Sequence, residues 1–403
     1  MAVSESPLPV LHAVPGVRVG VVEAAVRKPG RNDLVLMALA EGSRVAGVFT
    51  RNLFRAAPVR FAESHLRDDD PRYLLINTGN ANAGTGRAGD RAVEQNCAAL
   101  ADLAGCRPMQ IIPYSTGVIG ELLPADRIDA ALPEALDGLG ADHWASAADA
   151  IRTTDIRPKG RSLRLELSGG TITLTGIAKG SGMIRPDMAT MLAYVATDAA
   201  IDTASLRHLL RDAVAVSFNR ITVDGDTSTN DACTLIATAV SGVTLADASD
   251  RDRFLDALTT MCTALAREVV ADGEGATRDA AIRVTGAQTT AEAERVAFAV
   301  AESPLVKTAL FAADPNWGRI LAAVGRAGVR DLDVDRVRID IGDCPVVEGG
   351  GLSPDYEESA AAAQMAADHV SITIDLDRGG ETATVWTCDF SYDYVRINAE
   401  YRS

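Results

Sequence analysis

A threonine that opens an apolar run becomes a nucleophile if the chain is cut in front of it. In IAKGSGMIRPDMATMLAYVATDA (residues 177–199), a glycine-rich loop carrying Lys179 leads through Pro186 to Ala189 and Thr190, then into an apolar strand. Cutting the bond between Ala189 and Thr190 would give Thr190 a free α-amine beside its hydroxyl. A terminal amine titrates at about 7.7–8.0. It would therefore be a base near neutrality, within reach of the proton it must remove. Left uncut, Thr190 is an ordinary β-branched residue of a sheet, and the segment alone leaves both readings open.

Other motifs offer less. Gly84-x-Gly86-x-x-Gly89 follows a strand and opens a helix, the setting of a dinucleotide fingerprint. Such a site also needs an acidic residue at the end of the second strand, where this chain has Tyr114-Ser115-Thr116. A tight turn is the better reading. Asp224-x-Asp226-x-Ser228 begins like a calcium loop, but Thr229 and Leu235 stand where that loop requires Gly and Glu. The five His residues are isolated, with no HExxH motif or Cys/His cluster, so no metal centre is expected. No GxSxG elbow supports a serine triad. The six Cys are dispersed without a CxxC pair and read as small buried hydrophobes of a reducing compartment.

The elements that must position these groups are mixed. Residues 73–76 form a short apolar run ahead of the turn-rich NTGNANAGTGRAG. Residues 87–103 have helical spacing closed by Gly105, and 110–113 read as a second strand. Residues 162–175 alternate in period two around Gly169-Gly170, which predicts a β-hairpin. A second hairpin is expected from 371–376 and 382–387 around Arg378-Gly379-Gly380. Helices are expected over 203–217, with a threonine cap, over 252–270 and over 358–367. Strands are expected over 191–196, 234–240, 281–284 and 337–341. Strands and helices mix without strict alternation, so the fold class is α+β rather than a doubly wound parallel sheet.

Composition bounds the partners. The chain has 403 residues, enough for two or three domains. Its 39 Lys+Arg against 55 Asp+Glu give −16 at pH 7, and no basic run exists to neutralise a phosphate backbone, so no nucleic-acid partner is expected. A hydrophobic content of 47% argues against whole-chain disorder. No run of about 18 apolar residues occurs, so no membrane span is expected. The N-terminal stretch lacks the basic and apolar regions of a secretory leader. A soluble cytoplasmic protein is the expectation.

Several short blocks narrow the reading. AKGSGM (178–183) followed by MATML (188–192) resembles the self-cleavage region of the ornithine acetyltransferase, or ArgJ, family: the glutamate N-acetyltransferases of arginine biosynthesis. Further blocks resemble that family in the same order: NTGNANAGTG (77–86), STGVIG (115–120), TTD (153–155), NRITVDGDTSTND (219–231), DGEGAT (272–277), DPNWGRI (314–320) and INAEYRS (397–403). Each is weak alone, but in order they are specific. The chain departs from the family at Ile156-Arg157 and at Arg278, where Lys is common, and neither is a matched functional position.

The resemblance implies an ArgJ-like, self-processing N-terminal-nucleophile-type fold with hairpin-containing mixed sheets packed with helices. It implies cleavage between Ala189 and Thr190 into an α chain, 1–189, and a β chain, 190–403. Thr190 matches the nucleophile, and Thr116 and Gly117 match the oxyanion hole. Thr153, Lys179, Thr190, Glu274, Asn398 and Ser403 match substrate contacts, with Thr154 an alternative to Thr153. The implied substrates are N-acetylornithine and glutamate, joined in bifunctional members by acetyl-CoA. The implied assembly is a heterotetramer of two α and two β chains. Such a shuttle needs no metal or organic cofactor. The rival is a self-processing aminopeptidase or amidase of related fold, which would pass its acyl group to water.

Overall fold

Apolar and alternating segments of two to ten residues give the strands of this protein, described by a computed structural model over residues 7–68, 70–185 and 191–400. In chain order they are β1 (Val17–Val22), β2 (Leu34–Leu39), β3 (Arg44–Phe49), β4 (Tyr73–Asn80), β5 (Ile111–Val118), β6 (Lys159–Leu167), β7 (Gly170–Lys179), β8 (Leu192–Thr197), β9 (Ala232–Ala237), β10 (Asp279–Ala287), β11 (Arg338–Ile341), β12 (Cys344–Glu348), the two-residue β13 (Gly351–Leu352), β14 (His369–Asp375) and β15 (Glu381–Cys388). Among the described residues they form three sheets, ordered β1-β2-β4-β5, β3-β9-β8-β7-β6 and β13-β12-β11-β14-β10-β15.

The first two sheets stack face to face between helices, and β8 shows why. Every residue of β8 is buried, so it reads as a continuous apolar run rather than an alternating one. Ala193 and Val195 point into a core shared with the helices Thr203–Ala215 and Ala248–Ala271. Leu192, Tyr194 and Ala196 point the other way, onto Met37, Ile76 and Tyr114 of the first sheet. That sheet presents Leu36, Leu75 and Ile111 on its far face to the helices Gly86–Ala104 and Ala125–Asp137. The order is helix, sheet, sheet, helix. The third sheet has its own core beneath the helices Thr290–Ala301, Pro304–Ala312 and Trp317–Gly325. Among the described residues, no helix is long and apolar enough to cross a membrane.

The first hairpin forms as expected, with β6 and β7 antiparallel from Lys159↔Ala178 to Leu167↔Gly170. The second does not. Here β14 and β15 are not neighbours, because β10 lies between them, parallel to β14 and antiparallel to β15. The Arg378-Gly379-Gly380 turn instead bridges the end of β10, where the N–H groups of Arg378 and Gly379 both donate to Gly286 O. A Cβ at Gly379 would lie 2.4 Å from Ala287 O, so this glycine permits the crossing. The expected threonine cap is also corrected. The helix begins at Thr203, and Asp202 caps it by accepting from the N–H groups of Ala204 and Ser205, both at 3.0 Å.

Candidate active site

The parallel pair β4 and β5 ends in NTGN and STGV, longer strands than the apolar runs suggested. Polar residues extend the ladder because their side chains satisfy one another. Ser115 Oγ donates to Asn77 Oδ1 at 2.6 Å, and Asn77 Nδ2 donates to Asn80 O at 3.0 Å. Gly117 pairs with Gly79 at φ +137°, and a Cβ there would sit 2.3 Å from the Gly79 carbonyl carbon. Only glycine lets the strand ends run so close. The Gly84 motif serves structure too. Asn82 Nδ2 donates to Gly89 O at 3.0 Å, and Thr85 Oγ1 donates to Asn82 Oδ1 at 2.8 Å, which makes it a helix-opening turn.

A cavity of about 250 Å3 lies at this strand end. Thr116, Gly117, Thr153, Thr154, Lys179, Glu274 and Asn398 all line it. Residues separated by up to 282 positions are thus brought together (116 against 398), and both threonines of the TTD block take part. Lys179, at the end of β7, is 8% exposed and donates from Nζ to Thr116 Oγ1 at 3.1 Å. Burial lowers its pKa because desolvation penalises the ammonium, while the nearby Asp155 carboxylate opposes that shift.

A buried ion cluster sets the positions of three of these segments. Lys159 Nζ donates to Asp155 Oδ1 at 2.6 Å and to Asp272 Oδ2 at 2.5 Å, with all three side chains shut off from solvent. Asp155 also accepts from Gly180 N–H at 2.6 Å and from Thr153 N–H at 3.0 Å. Asp272 accepts from Ile156 N–H at 3.1 Å, and its carbonyl accepts from Ser181 Oγ at 2.7 Å. Glu274 N–H donates to Ser181 O at 2.9 Å. Burial alone would raise the Asp155 carboxyl, but the Lys159 and Lys179 ammonium groups outweigh it and hold that carboxyl well below its ordinary range. The cluster is viable because backbone amides share the carboxylates with Lys159.

Glu274 is 6% exposed and accepts from Asn398 Nδ2 at 2.9 Å. Asn398 rides on the helix Tyr392–Ala399, whose capping residue Ser391 donates to Gly275 O at 2.5 Å. A Cβ at Gly182 would come 2.4 Å from the Glu274 carboxyl carbon, so that glycine makes room for it. The cavity therefore offers a cation, a carboxylate and hydroxyls around a small volume. That set suits an amino acid, with its carboxylate toward Lys179 and an amine toward Glu274.

Ala189, Thr190 and Ser403 lie outside the described residues. Met191, which follows Thr190, is buried, and its carbonyl accepts from Ala232 N–H at 2.9 Å. The 219–231 block, to which the resemblance attaches no catalytic or binding role, holds the site together. Asp224 accepts from the N–H groups of Met183, at 2.6 Å, and Ile184, at 2.8 Å. Asn230 Nδ2 donates to Ala81 O at 2.6 Å and Ser115 O at 2.9 Å. The block clamps the 181–184 loop and the strand end that bears Thr116. Lys159 stands just ahead of the alternation at 162–175 and in no block with a matched role, so nothing in the sequence marks it as buried.

Comparisons with known proteins identify the family. The profile of the ArgJ family matches residues 18–403. The arginine biosynthesis bifunctional protein ArgJ of Pseudomonas syringae pv. tomato is 51% identical, and that of Pseudomonas fluorescens 50%, each over all of both chains. The crystal structure of the bifunctional ArgJ of Bacillus halodurans is 42% identical with a TM-score of 0.50; the match covers 52% of this chain and 99% of that one. Matched in profile over nearly its whole length and half-identical to such relatives from end to end, the chain belongs to the ArgJ family of arginine-biosynthesis acetyltransferases.

Proposed function

We propose that this enzyme cuts itself between Ala189 and Thr190 and then moves an acetyl group from N2-acetyl-L-ornithine to L-glutamate through an ester on Thr190. The observation that carries the reading is the cavity, which gathers Thr116, Gly117, Lys179, Glu274 and Asn398 in one small volume. Met191, the next residue after Thr190, packs against the same loop: a Cβ added at Gly180 would lie 3.3 Å from its Cβ. The α-amine of Thr190 takes the hydroxyl proton, and Oγ attacks the acetyl carbonyl carbon. Thr116 and Gly117 stabilise the oxyanion, a role in which one donor is worth about 10²–10³ in rate. The C–N bond breaks, and ornithine leaves with the proton. The amine of glutamate then attacks the ester, releasing N-acetylglutamate and restoring Thr190. Lys179 holds the substrate carboxylate, Glu274 with Asn398 the side-chain amine, and Thr153 or Thr154 and Ser403 complete the contacts.

The scheme uses no metal or organic cofactor. Acetyl-CoA is a second acetyl donor, a reading supported by the word bifunctional in the names of the half-identical relatives. Cleavage gives chains 1–189 and 190–403, assembled two of each in the cytoplasm.

Purified wild type should give two bands on a denaturing gel, and Thr190→Ala one, with no activity. Double-reciprocal plots should be parallel, and mass spectrometry should find acetyl on Thr190. A full-length yet active wild type would sink the free-amine mechanism. Steady, multiple-turnover hydrolysis of acetylornithine without glutamate would favour the aminopeptidase rival instead.

A further inference from the structure

A second cavity, of about 290 Å3, shares Gly117, Thr153 and Thr154 with the first. The proposed amino-acid reaction leaves the rest of its wall unused. That wall is basic, with Arg27, Lys28, Arg31 and Arg152 against the single carboxylate of Asp33. In a chain of net charge −16 this is a local reversal of sign, and a cleft lined by one sign of charge concentrates oppositely charged ligands.

Asp33 does not pair with these cations. Its oxygens accept from Ala24 N–H at 2.7 Å and Val26 N–H at 2.6 Å. Those bonds fix the loop between β1 and β2 that carries Arg27 and Lys28, and Glu23 secures its tip by accepting from Gly30 N–H at 2.9 Å. The loop abuts the strand end itself: a Cβ at Gly79, the partner of Gly117, would lie 3.0 Å from Arg27 Cβ. Arg31 Nη2 is oriented by Arg152 O at 2.7 Å, and Arg152 Nη1 by Asp155 O at 2.9 Å. Arg152 also pairs with Asp149. Arg27 and Lys28 have no ion pair or side-chain hydrogen bond among the described residues. Two cations are therefore held in place, and two more are left for a ligand.

An amino-acid donor has one α-carboxylate, which Lys179 already matches in the first cavity. Four more cations call for a multiply charged anion, and guanidinium groups bind phosphate oxygens in pairs. We infer that this cleft is the subsite for the phosphate groups of an acetyl donor carried on a phosphorylated thiol, coenzyme A, whose thioester reaches past Gly117 into the first cavity. The inference rests on the acetyl transfer proposed above. In that step the Thr190 Oγ–C bond forms, the C–S bond breaks, and the thiolate takes the proton held by the α-amine. Glutamate then accepts the acetyl group as before.

The test is the double variant Arg27→Gln/Lys28→Gln, since both side chains reach solvent and neither touches the first cavity. With acetyl-CoA and glutamate its KM for acetyl-CoA should rise at least about tenfold, the factor that corresponds to about 1.4 kcal/mol. With acetylornithine and glutamate its kinetics should match wild type. Coenzyme A should inhibit the acetylornithine reaction of wild type, and that inhibition should weaken equally in the variant. Calorimetric titration with coenzyme A reads the same loss without turnover. Equal losses with both donors, or unchanged acetyl-CoA kinetics, overturn the subsite. So does a wild type that uses acetylornithine but neither uses nor binds coenzyme A, or one that inorganic phosphate inhibits as well as coenzyme A does. A wild type that binds coenzyme A through these residues yet transfers acetyl from neither donor keeps the subsite and defeats the Thr190 reading instead.

Discussion

At the scale of residues, two side chains invite direct tests. Burial lowers the pKa of Lys179, so its charge is lost at a pH below 10.5, the ordinary lysine value. A carboxylate substrate held by that charge should bind more weakly as the pH rises toward that value. We expect the KM for acetylornithine to climb at a pH below the ordinary lysine range, and that of Lys179→Gln to be high and flat across the same profile. Parallel profiles in steady-state kinetics would remove Lys179 from the carboxylate contact. Gly117 is the second case. Its φ of +137° and the 2.3 Å approach of a new Cβ to Gly79 leave no room for a side chain. Gly117→Ala should lose about 10² or more in kcat and about 1–3 kcal/mol in stability from strain, read by kinetics and a thermal melt together.

At the scale of elements, the buried Lys159 links three loops that no single helix or strand could align. It pairs with Asp155 in the segment after Thr153 and with Asp272 in the turn after the helix Ala248–Ala271, and Asp155 in turn holds Gly180 N–H at the end of β7. Lys159→Met would leave Asp155 and Asp272 buried without their shared cation. Breaking a buried pair in this way costs about 3–5 kcal/mol, so a denaturant melt should move to a clearly lower midpoint. A melt like that of wild type would mean that the backbone amides alone suffice for the two carboxylates. The failure of the second hairpin belongs to this scale too. Two alternating strands joined by a Gly-Gly turn look adjacent in sequence, yet β10 inserts between them. Period two reports which face is buried and not which strand lies alongside.

At the scale of the whole molecule, the proposed cleavage point does not separate folding units. The second sheet takes β3, β6 and β7 from before residue 190 and β8 and β9 from after it. Between β7 and β8 the register runs from Leu174↔Thr197 to Lys179↔Leu192. Both faces of β8 are buried in cores that mix residues from the two sides. The processed protein should therefore elute from a native sizing column as one assembly while showing two bands under denaturing conditions. Either half expressed alone should lack the cooperative melt of the whole. A stable, folded 190–403 fragment would contradict this.

The sequence by itself determined the local terms: the α+β class, the first hairpin, the helix over 87–103 with its Gly105 stop, and the order of short blocks that resembles the ArgJ family. Through the blocks that resemble the ArgJ family it also marked Thr116, Gly117, Lys179, Glu274 and Asn398, whose residue types alone would not have set them apart. Tertiary structure decided the rest. It set β10 between β14 and β15, converted the 219–231 block into a clamp, and buried Lys159 between two carboxylates. It also placed a basic loop from the front of the chain beside Gly117. The physical reason is common to all four. A residue's type and its near neighbours fix its backbone preference and its polarity. Whether a charge meets water, a carboxylate or a ligand depends on segments tens to more than a hundred positions away, and only folding brings those together.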